Sequence, residues 1–312
     1  MQTCYSLEHI PGLTSRPVVS VGNFDGVHLG HQALINVLVG RAQALSCPSL
    51  VLTFTPHPLN LLRPERPVAQ IMPLDQRLDL LKQLGVDVVL CLNFDQSLAN
   101  LSAQEFVRRI LVDKLNALEI YESFNFNFGQ GGKGDIALLR GMGAEYGFKV
   151  EQVPPVMLEG APVSSSRVRK AVLAGDFALG NRLLGRAYRF WGKVVHGAGR
   201  GGKLLNMPTA NLLLNSVLVP PTGVYAAWAG LQGDEAGAAV FNLGLNPTFN
   251  EQLSEARLEV HVLDFSQDLY GREIWVEPVR FLRPELKFSS VEELTAQMER
   301  DVKAARALLA PQ

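Results

Sequence analysis

The sequence has few cysteines, no long charged run and no long apolar run. Its three cysteines, Cys4, Cys47 and Cys91, stand far apart in 312 residues without metal-site spacing, which favours a reducing compartment without disulfides. The 29 basic and 30 acidic residues give a net charge of −1, whereas a general nucleic-acid binder needs a basic face. No apolar run approaches the roughly 20 residues of a membrane helix, and the first residues show no secretion-signal pattern. We expect a cytoplasmic protein with no nucleic-acid or membrane partner.

The two halves of the chain differ in their hydrophobic patterns. In the first half apolar strands alternate with helical patterns, which favours a parallel sheet covered on both faces. In the second half short β-rich runs are separated by Gly, Pro and Asn turns, which favours a small antiparallel barrel or sandwich. We predict two domains, residues 1–185 and 186–312. The predicted strands are residues 18–21, 50–54, 86–92, 150–153, 190–195, 223–229, 238–243, 258–265 and 274–282. The predicted helices are residues 32–44, 74–84, about 102–115 and 135–146, two short helices within 166–185, and one that begins after a capping box at Ser290 and Glu293.

Residues 20–31 read SVGNFDGVHLGH and follow the first predicted strand. Ligands bind beyond the carboxyl ends of parallel strands, and a helix start, expected here at about Val27, attracts anions through its N–H groups and dipole. His28 and His31 are three apart, so they share one face of the first turn and could donate hydrogen bonds to the same phosphate. Alternatively, one histidine caps the helix and the other belongs to the core. The strand end, glycine turn and helix start together favour the phosphate site.

A second stretch, VSSSRVR at residues 163–169, places three hydroxyls and two arginines at another helix start. Arginine side chains and N-terminal amides suit a triphosphate, although serines before a helix are more often only caps. With GNFDGVHLGH, it resembles the nucleotidyltransferase superfamily that carries H-x-G-H and S-S-T-x-I-R signatures, with Ser166 in place of threonine. The resemblance implies that His28 and His31 hold the ATP phosphates during attack on the α-phosphorus. It further implies ATP or phosphate binding by Gly22, Asn23, Phe24, Asp25, Ser164, Ser165, Ser166 and Arg169.

Two further stretches narrow the resemblance. FTPHP at residues 54–58 and NFNFG at residues 125–129 resemble elements of the adenylyltransferase half of bacterial bifunctional FAD synthetases. That resemblance implies that His57 and Asn125 contact flavin or nucleotide. A plain interpretation stays open, in which His57 fills a stiff turn and the phenylalanines are core. The chain departs from the family pattern at residues 121–124, where an apolar strand ending in glycine is usual, and at residues 131–132, where the loop is often basic.

The second half indicates a different phosphate chemistry. In GKLLNMPTAN at residues 202–211, the final PTAN follows a glycine- and lysine-bearing loop, residues 197–203, whose N–H groups can wrap phosphates. The side-chain oxygens of Thr209 and Asn211 suit Mg²⁺. In LEVHV at residues 258–262, strand alternation puts Glu259 and His261 on one face, where a carboxylate could take a proton from a hydroxyl substrate. A simple turn and a solvated strand position are the plain alternatives.

The order of the motifs in this half resembles riboflavin kinase: GKLLNMPTAN, GVYAAW, FNLGLNPTF, LEVHVLDFSQDLYG and FLRPELKF. The resemblance implies a six-stranded Greek-key barrel with a C-terminal helix. It also implies that Glu259 is the base for the riboflavin 5′-hydroxyl and that Arg283 and Phe288 border the flavin. The implied ATP-binding residues are Gly202, Lys203, Pro208, Thr209 and Asn211, of which Thr209 and Asn211 also position Mg²⁺. The chain departs at Asn206 and Met207, where the family usually has a glycine and an aromatic.

Over nearly its whole length the chain therefore resembles the bacterial bifunctional riboflavin kinase/FMN adenylyltransferase family. This implies a Rossmann-like nucleotidyltransferase domain followed by the β-barrel, with riboflavin, FMN and ATP as partners and Mg²⁺ as cofactor. The second domain would convert riboflavin to FMN with MgATP, and the first would join FMN to AMP from ATP, giving FAD and pyrophosphate. Two alternatives stay open: a riboflavin kinase with a degenerate first domain, suggested by the residues around Ser123 and Gly132, and a flavin-binding carrier or regulator. The sequence does not indicate the oligomeric state.

Overall fold

The chain divides into two compact units, Met1–Ser165 and Ser166–Gln312. The computed structural model describes residues 1–8, 10, 13, 15–196, 209–214, 218–231, 236–245, 256–265 and 267–310.

The first unit is built on a parallel sheet of six strands. They are β1 (Gln2–Cys4), β2 (Val18–Val21), β3 (Ser49–Thr55), β4 (Val88–Asn93), β5 (Glu119–Ser123) and β6 (Lys149–Val153). The order across the sheet is β1-β4-β3-β2-β5-β6, and every neighbouring pair is parallel. Because β3 lies on one side of β2 and β5 on the other, the strand order reverses at β2. Open α/β sheets bind ligands in the crevice beyond the strand ends at such a point.

Helices cover both faces of this sheet, as the alternation of strands and helices predicts. They are α1 (Leu29–Ala44), α2 (Pro58–Leu62), α3 (Leu74–Gln83), α4 (Gln96–Ala99), α5 (Ala103–Phe106) and α6 (Ile136–Tyr146). Val18 packs with Leu34 and Leu38 of α1 on one face, whereas the next residue, Val19, packs with Ile110 and Leu139 on the other. Two separate apolar cores therefore enclose the sheet, which is typical of parallel strands.

Local capping explains where several helices begin. His28 is the N-cap of α1, so this helix begins at Leu29 rather than at about Val27. Ser102 and Glu105 form the predicted capping box. The helix predicted over residues 102–115 is a single α-helical turn, α5, that continues as a π-helix over Val107–Val112.

A two-stranded hairpin, β7 (Met157–Leu158) and β8 (Ala161–Pro162), precedes α7 (Ser165–Leu173) and α8 (Phe177–Leu184). These two helices are the short pair predicted within residues 166–185, and Asp176 caps the second. The division between the two units falls at the first residue of α7.

The second unit is a closed antiparallel barrel of six strands with a helix, which confirms the predicted barrel. The strands are β9 (Phe190–Val195), β10 (Ala210–Leu214), β11 (Gly223–Leu231), β12 (Gly237–Leu245), β13 (Ala256–Val262) and β14 (Glu273–Arg283). They close in the order β10-β13-β12-β11-β14-β9. Strands β11, β12 and β13 are consecutive neighbours, and β14 returns to lie on the other side of β11. This is a Greek-key arrangement.

The barrel has an aromatic interior and carries the C-terminal helix on its outer face. Inside, Tyr225 stacks on Phe241 with ring centres 4.8 Å apart, and Phe190 meets Phe241 edge-on at 5.7 Å. Outside, α9 (Val291–Leu309) packs against Ala226 and its neighbours on β11, β12 and β14. The Ser290 side chain accepts a hydrogen bond from the Glu293 backbone N–H, so the predicted helix start is confirmed.

Candidate functional sites

The two predicted histidines stack at the start of α1, just beyond the carboxyl end of β2. Their ring centres are 3.7 Å apart with an interplanar angle of 15°. Nδ1 of His28 accepts the backbone N–H of His31 at 3.3 Å, so the proton of a neutral His28 ring is on Nε2. His28 is therefore both the helix cap and a partner of His31 on one helix face. Capping the helix and binding a phosphate are therefore compatible roles for His28.

The loop between β2 and α1 has an unusual backbone. Phe24, Gly26 and Val27 have φ angles of 49°, 84° and 37°, which non-glycine residues seldom adopt. A Cβ on Gly26 would lie 2.9 Å from the Cδ1 atom of Ile71, so glycine is required there for both conformation and space. Loops of this kind turn successive N–H groups towards one side and form concave anion sites.

Hydrogen bonds from distant segments hold this loop. The buried carboxylate of Asp25 accepts the backbone N–H of Ile71 at 3.0 and 3.1 Å. The carbonyl of Asn23 accepts the Thr53 hydroxyl at 3.2 Å and the Nη1 group of Arg77 at 2.5 Å. Burial lowers the pKa of Arg77. Asn23 and Asp25 were predicted to belong to the site, whereas Arg77, which is distant in the sequence, was not.

The serine-rich stretch contacts the loop between β2 and α1, residues 22–28, which we call the histidine loop. Ser165 is the first residue of α7, and its hydroxyl donates a hydrogen bond to the carbonyl of Asp25 at 2.9 Å. The two phosphate-type motifs are thus in direct contact within the first unit. Ser166 is exposed, and Arg169 is half-buried one turn along α7.

The residues of the FTPHP and NFNFG stretches differ in their burial and contacts. His57 is 7% exposed and caps α2, with its Nδ1 atom accepting the backbone N–H of Leu59 at 3.2 Å. Asn125 is exposed, and its Oδ1 atom accepts the Ser123 hydroxyl at 3.1 Å. Phe128 is buried in the core and stacks on Phe126. The core interpretation therefore fits Phe128, whereas Asn125 is open to a ligand.

The second unit contains a pocket of about 150 Å³. It lies against the outward face of β11, β12 and β13, with residues of α9 and of the loop after β14 completing its wall. Four predicted site residues, Thr209, Glu259, Arg283 and Phe288, line it together with His261. The remaining lining residues are Val224, Val240, Asn242, Glu285, Leu286, Leu294, Met298, Asp301 and Val302.

Strand register explains how Glu259 is flanked. Asn211 on β10 and Asn242 on β12 are both directly opposite Glu259 on β13, so all three side chains leave the barrel on the same face. The predicted residues Gly202, Lys203 and Pro208 lie outside the described residues, as do Asn206 and Met207.

A charged network forms the wall of this pocket. Arg283 donates to both carboxylate oxygens of Asp301, with distances of 3.0, 3.0 and 2.7 Å, and its guanidinium lies 5.9 Å from the Phe288 ring centre. Both side chains of the ion pair are largely buried, at 16% and 7% exposure. Arg283 is thus held in place by α9, although sequence reasoning did not find Asp301.

Asn242 contacts Glu285, which is the third acidic side chain of the pocket beside Glu259 and Asp301. Its Nδ2 group donates to Oε1 of Glu285 at 3.3 Å. A Cβ on Gly244 would lie 2.6 Å from the same Glu285 oxygen, so glycine makes room for this carboxylate. Within the part of the chain that the structure describes, the buried Oδ1 atom of Asn242 has no hydrogen-bond partner. The motif FNLGLNPTF contained Asn242 and Gly244, but their roles depend on cross-strand contacts.

The described residues lack both a cluster of metal-binding side chains and a membrane-spanning helix. No cluster of three or more His, Cys, Asp or Glu side chains in those ranges could hold a metal ion. Among the described helices, none combines the length and apolar character needed to cross a membrane.

Comparisons with known proteins agree with this two-site arrangement. A family model for FAD synthetase matches residues 11–167, and one for riboflavin kinase matches residues 184–309. A protein from Pseudomonas fluorescens is 44% identical over 94% of this chain and 93% of its own length. Proteins from Escherichia coli strain K12 and Haemophilus influenzae are 38% and 35% identical, covering 93% and 98% of this chain and 91% and 99% of their own lengths. All three are named bifunctional riboflavin kinase/FMN adenylyltransferase.

A solved structure extends the match to the whole fold. It is described as a macrolide-efflux protein from Streptococcus pneumoniae and aligns over 97% of this chain and 98% of its own, with a TM-score of 0.83 and 34% identity. Its name refers to efflux, whereas the curated relatives are named for two enzymatic activities.

Proposed function

The chain belongs to the family of bifunctional riboflavin kinases/FMN adenylyltransferases, enzymes of FAD biosynthesis, and on that premise we propose how its residues divide the two reactions. The family uses ATP, riboflavin and FMN as substrates. The observation that carries the proposal is that each matched family domain has its own group of candidate residues: stacked histidines at a helix start in one, and a carboxylate-bearing pocket in the other.

In the first domain, the loop of Gly22, Asn23, Phe24 and Asp25 and the start of α7 bind the ATP phosphates. His28 and His31 donate to oxygens on the α-phosphate while a phosphate oxygen of FMN attacks the α-phosphorus, and pyrophosphate leaves. Ser164, Ser165, Ser166 and Arg169 hold the departing pyrophosphate. Such a transfer needs alignment and charge stabilisation and no covalent enzyme intermediate. His57 and Asn125 would contact the flavin or the adenine.

In the second domain, Glu259 takes the proton from the riboflavin 5′-hydroxyl, whose oxygen attacks the γ-phosphorus of ATP and releases ADP. The pocket supports this because Glu259 shares it with apolar side chains that suit a flavin ring and with Arg283 and Phe288. Gly202, Lys203 and Pro208 would hold the nucleotide with Thr209 and Asn211.

We assign Mg²⁺ to Thr209 and Asn211. Their hydroxyl and amide oxygens are hard ligands, and Mg²⁺ commonly takes one or two protein ligands and completes its shell with water and phosphate oxygens. Thr209 lines the pocket and Asn211 is opposite Glu259, so both can face the same nucleotide. When bound, the ion neutralises charge on the transferring phosphate.

We also propose domains over residues 1–185 and 186–312. The riboflavin kinase match begins at residue 184, close to this boundary. The FAD synthetase match ends at residue 167 and the division between the compact units falls after Ser165. Most of α7 and of α8 lies in the interval between the two matches. A cytoplasmic location stays a prediction.

Two half-reactions test the proposal separately. Purified protein is given riboflavin, ATP and Mg²⁺ in one tube and FMN, ATP and Mg²⁺ in another, and flavins are separated by chromatography. We expect FMN followed by FAD in the first tube and FAD with pyrophosphate in the second. FMN without FAD would favour a kinase with a degenerate first domain. Flavin binding without any ATP turnover would favour a carrier and contradict both assignments.

A further inference from the structure

Arg77 on α3 is a buried charged side chain that binds backbone rather than a carboxylate. It is 5% exposed. Its Nη1 group donates to the carbonyl of Asn23 at 2.5 Å, and its Nη2 group donates to the carbonyl of Phe54 at 3.1 Å. Asn23 follows β2 and Phe54 is near the end of β3, which lies beside β2. One guanidinium therefore joins the loop after β2 to the last residues of β3, at the carboxyl end of the sheet.

The bond to Asn23 fixes the direction of the next peptide group. In a trans peptide the carbonyl and the following N–H point in opposite directions. Since Arg77 and Thr53 both donate to the Asn23 carbonyl, the N–H of Phe24 is turned to the side away from them. Phe24 itself has a φ of 49°, and a backbone in this region keeps its shape only when its surroundings hold it.

The hydrogen bond from Arg77 to the Phe54 carbonyl holds the end of β3 in the same way. Phe54 begins the FTPHP stretch, in which His57 caps α2. An arginine suits this double task because its donors form a rigid planar fork, whereas a lysine presents a single point of charge on a flexible stem.

We propose that Arg77 is a positioning residue of the FMN adenylyltransferase site. It keeps the histidine loop and the FTPHP stretch in one relative geometry. The inference rests on the proposed function of the first domain. Arg77 acts through the backbone of Asn23 and Phe54 and touches neither substrate in this role. Misplacing reacting groups by about 1 Å can lower a rate about 100-fold, so its removal is expected to affect the turnover of bound substrates.

The test uses Arg77→Lys, Arg77→Ala and a matched control, Arg109→Ala. Arg109 is also on the first unit, but its side chain is 54% exposed and forms an ion pair with Glu105 one turn away. We expect both Arg77 variants to lower kcat for FAD formation from FMN and ATP by about 100-fold, with smaller changes in KM. FMN formation by the second domain, measured in the same samples, and FAD formation by Arg109→Ala should stay within about twofold of wild type.

Chemical rescue separates positioning from a general loss of folding. Methylguanidine at millimolar concentration can occupy the space left in Arg77→Ala and should raise FAD formation at least tenfold, without effect on Arg109→Ala. Wild-type FAD formation in either Arg77 variant would overturn the proposal. Two results together would also overturn it: methylguanidine fails to restore the activity of Arg77→Ala, and Arg77→Lys loses thermal stability in proportion to its loss of activity.

A readout independent of the reaction keeps this inference distinct from the proposed function. Amide hydrogen exchange should be faster at residues 22–28 in Arg77→Lys than in wild type, and unchanged there in Arg109→Ala. If wild-type protein forms no FAD, the proposed function fails, while the exchange result still decides whether Arg77 holds the loop. Unchanged exchange at residues 22–28 would overturn the positioning role.

Discussion

The two sites of this chain are built in different ways. In the first domain, a strained loop and two helix starts supply backbone groups, and the site residues follow one another in short sequence stretches. In the second, the pocket is lined by side chains of neighbouring strands and of α9, brought together by strand register. A loop site is therefore visible as a contiguous motif, whereas a barrel-face site is scattered along the sequence.

The difference also concerns what each site loses when one residue changes. The loop depends on contacts that hold its backbone, such as the hydrogen bond from Arg77 on α3 to the Asn23 carbonyl. The pocket depends on paired charges such as Arg283 and Asp301, whose separation leaves a buried charge. Four substitutions test this comparison, beginning with the largest expected effect.

Replacing His28 should abolish the first activity and spare the second. We expect His28→Ala to lower FAD formation from FMN and ATP by about 1,000-fold, because a preorganised donor to the developing charge is lost. FMN formation from riboflavin should be unchanged. His28→Asn is the matched control for folding, since asparagine is a good N-cap and keeps an acceptor for the His31 N–H. Loss of both activities in a well-folded His28→Ala sample would contradict the division between the domains.

Replacing Glu259 should have the reverse effect. Glu259→Gln keeps the shape of the side chain but removes the base, which should lower FMN formation by about 100-fold or more. FAD formation from supplied FMN should be unchanged, as measured by chromatography. Normal FMN formation in this variant would mean that another group takes the hydroxyl proton.

Breaking the buried ion pair should weaken the second domain and its flavin site together. We expect Asp301→Asn to lower the free energy of unfolding by about 3 kcal/mol, because it leaves the Arg283 charge without its partner, and to raise the KM for riboflavin. All three tryptophans, Trp191, Trp228 and Trp275, lie in the second unit, so tryptophan fluorescence follows its unfolding.

The matched control for this pair lies on the same helix. Arg306 pairs with Asp264, but both side chains are mostly exposed, at 52% and 73%, so solvent screens their attraction. Arg306→Ala should leave both the unfolding transition and the KM for riboflavin unchanged. Equal effects of the two substitutions would show that burial of the Arg283–Asp301 pair is not what matters.

The last substitution leaves both activities in place and changes only the pH dependence of stability, at β5. Burial raises the pKa of the Glu122 carboxyl well above 4.5, and its Oε1 atom accepts the Val21 N–H at 2.7 Å. A raised pKa makes the stabilising contribution complete below about pH 4.5 and lost as the pH rises through the raised value. Glu122→Gln keeps the acceptor and cannot ionise, so the variant should gain stability relative to wild type as pH rises.

Denaturant unfolding at pH 5 and pH 8 measures this gain. The limiting slope is about 1.4 kcal/mol per pH unit between pH 4.5 and the raised pKa. Circular dichroism is the suitable signal, since the tryptophans report only on the second unit. A pH-independent difference between wild type and Glu122→Gln would contradict a neutral, buried Glu122.

Strand β5 also shows why part of the fold was not predicted from the sequence. EIYES carries two glutamates in five residues, so it does not read as a buried strand. Glu119 is nevertheless buried, because Arg41 donates two hydrogen bonds of 2.8 Å to it and the Tyr121 hydroxyl a third. The Arg41 guanidinium lowers the pKa of Glu119. Partners from another element satisfy the charge, and periodicity cannot reveal them.

Four further strands were not predicted: β1, β10 and the two-residue strands β7 and β8 of the hairpin, which are too short for a pattern. β1 has three residues and joins the edge of the sheet through β4, so it is too short for a pattern. β10 reads ANLLL, which lacks alternation, and it is defined by pairing with β9 and β13. The periodic elements, such as α3, β13 and α9, were predicted because their pattern is local.

The sites divide in the same manner. His28, His31 and Ser165 were predicted from contiguous motifs, and the structure brings their loops into contact. Thr209, Glu259, Arg283 and Phe288 were predicted from a family resemblance, and they line one pocket. The supporting residues Arg77, Asn242 and Asp301 were missed, because each acts through a partner far away in the sequence.

A mixing experiment tests most directly whether the chain holds two separate sites that act in series. His28→Ala and Glu259→Gln are each incubated with riboflavin, ATP and Mg²⁺, alone and together, and FAD is measured by chromatography over time. We expect FMN but no FAD from His28→Ala, little of either product from Glu259→Gln, and FAD from the mixture as released FMN reaches the intact first domain. A mixture that makes no FAD, or a single variant that makes it at the wild-type rate, would contradict two separate sites in series.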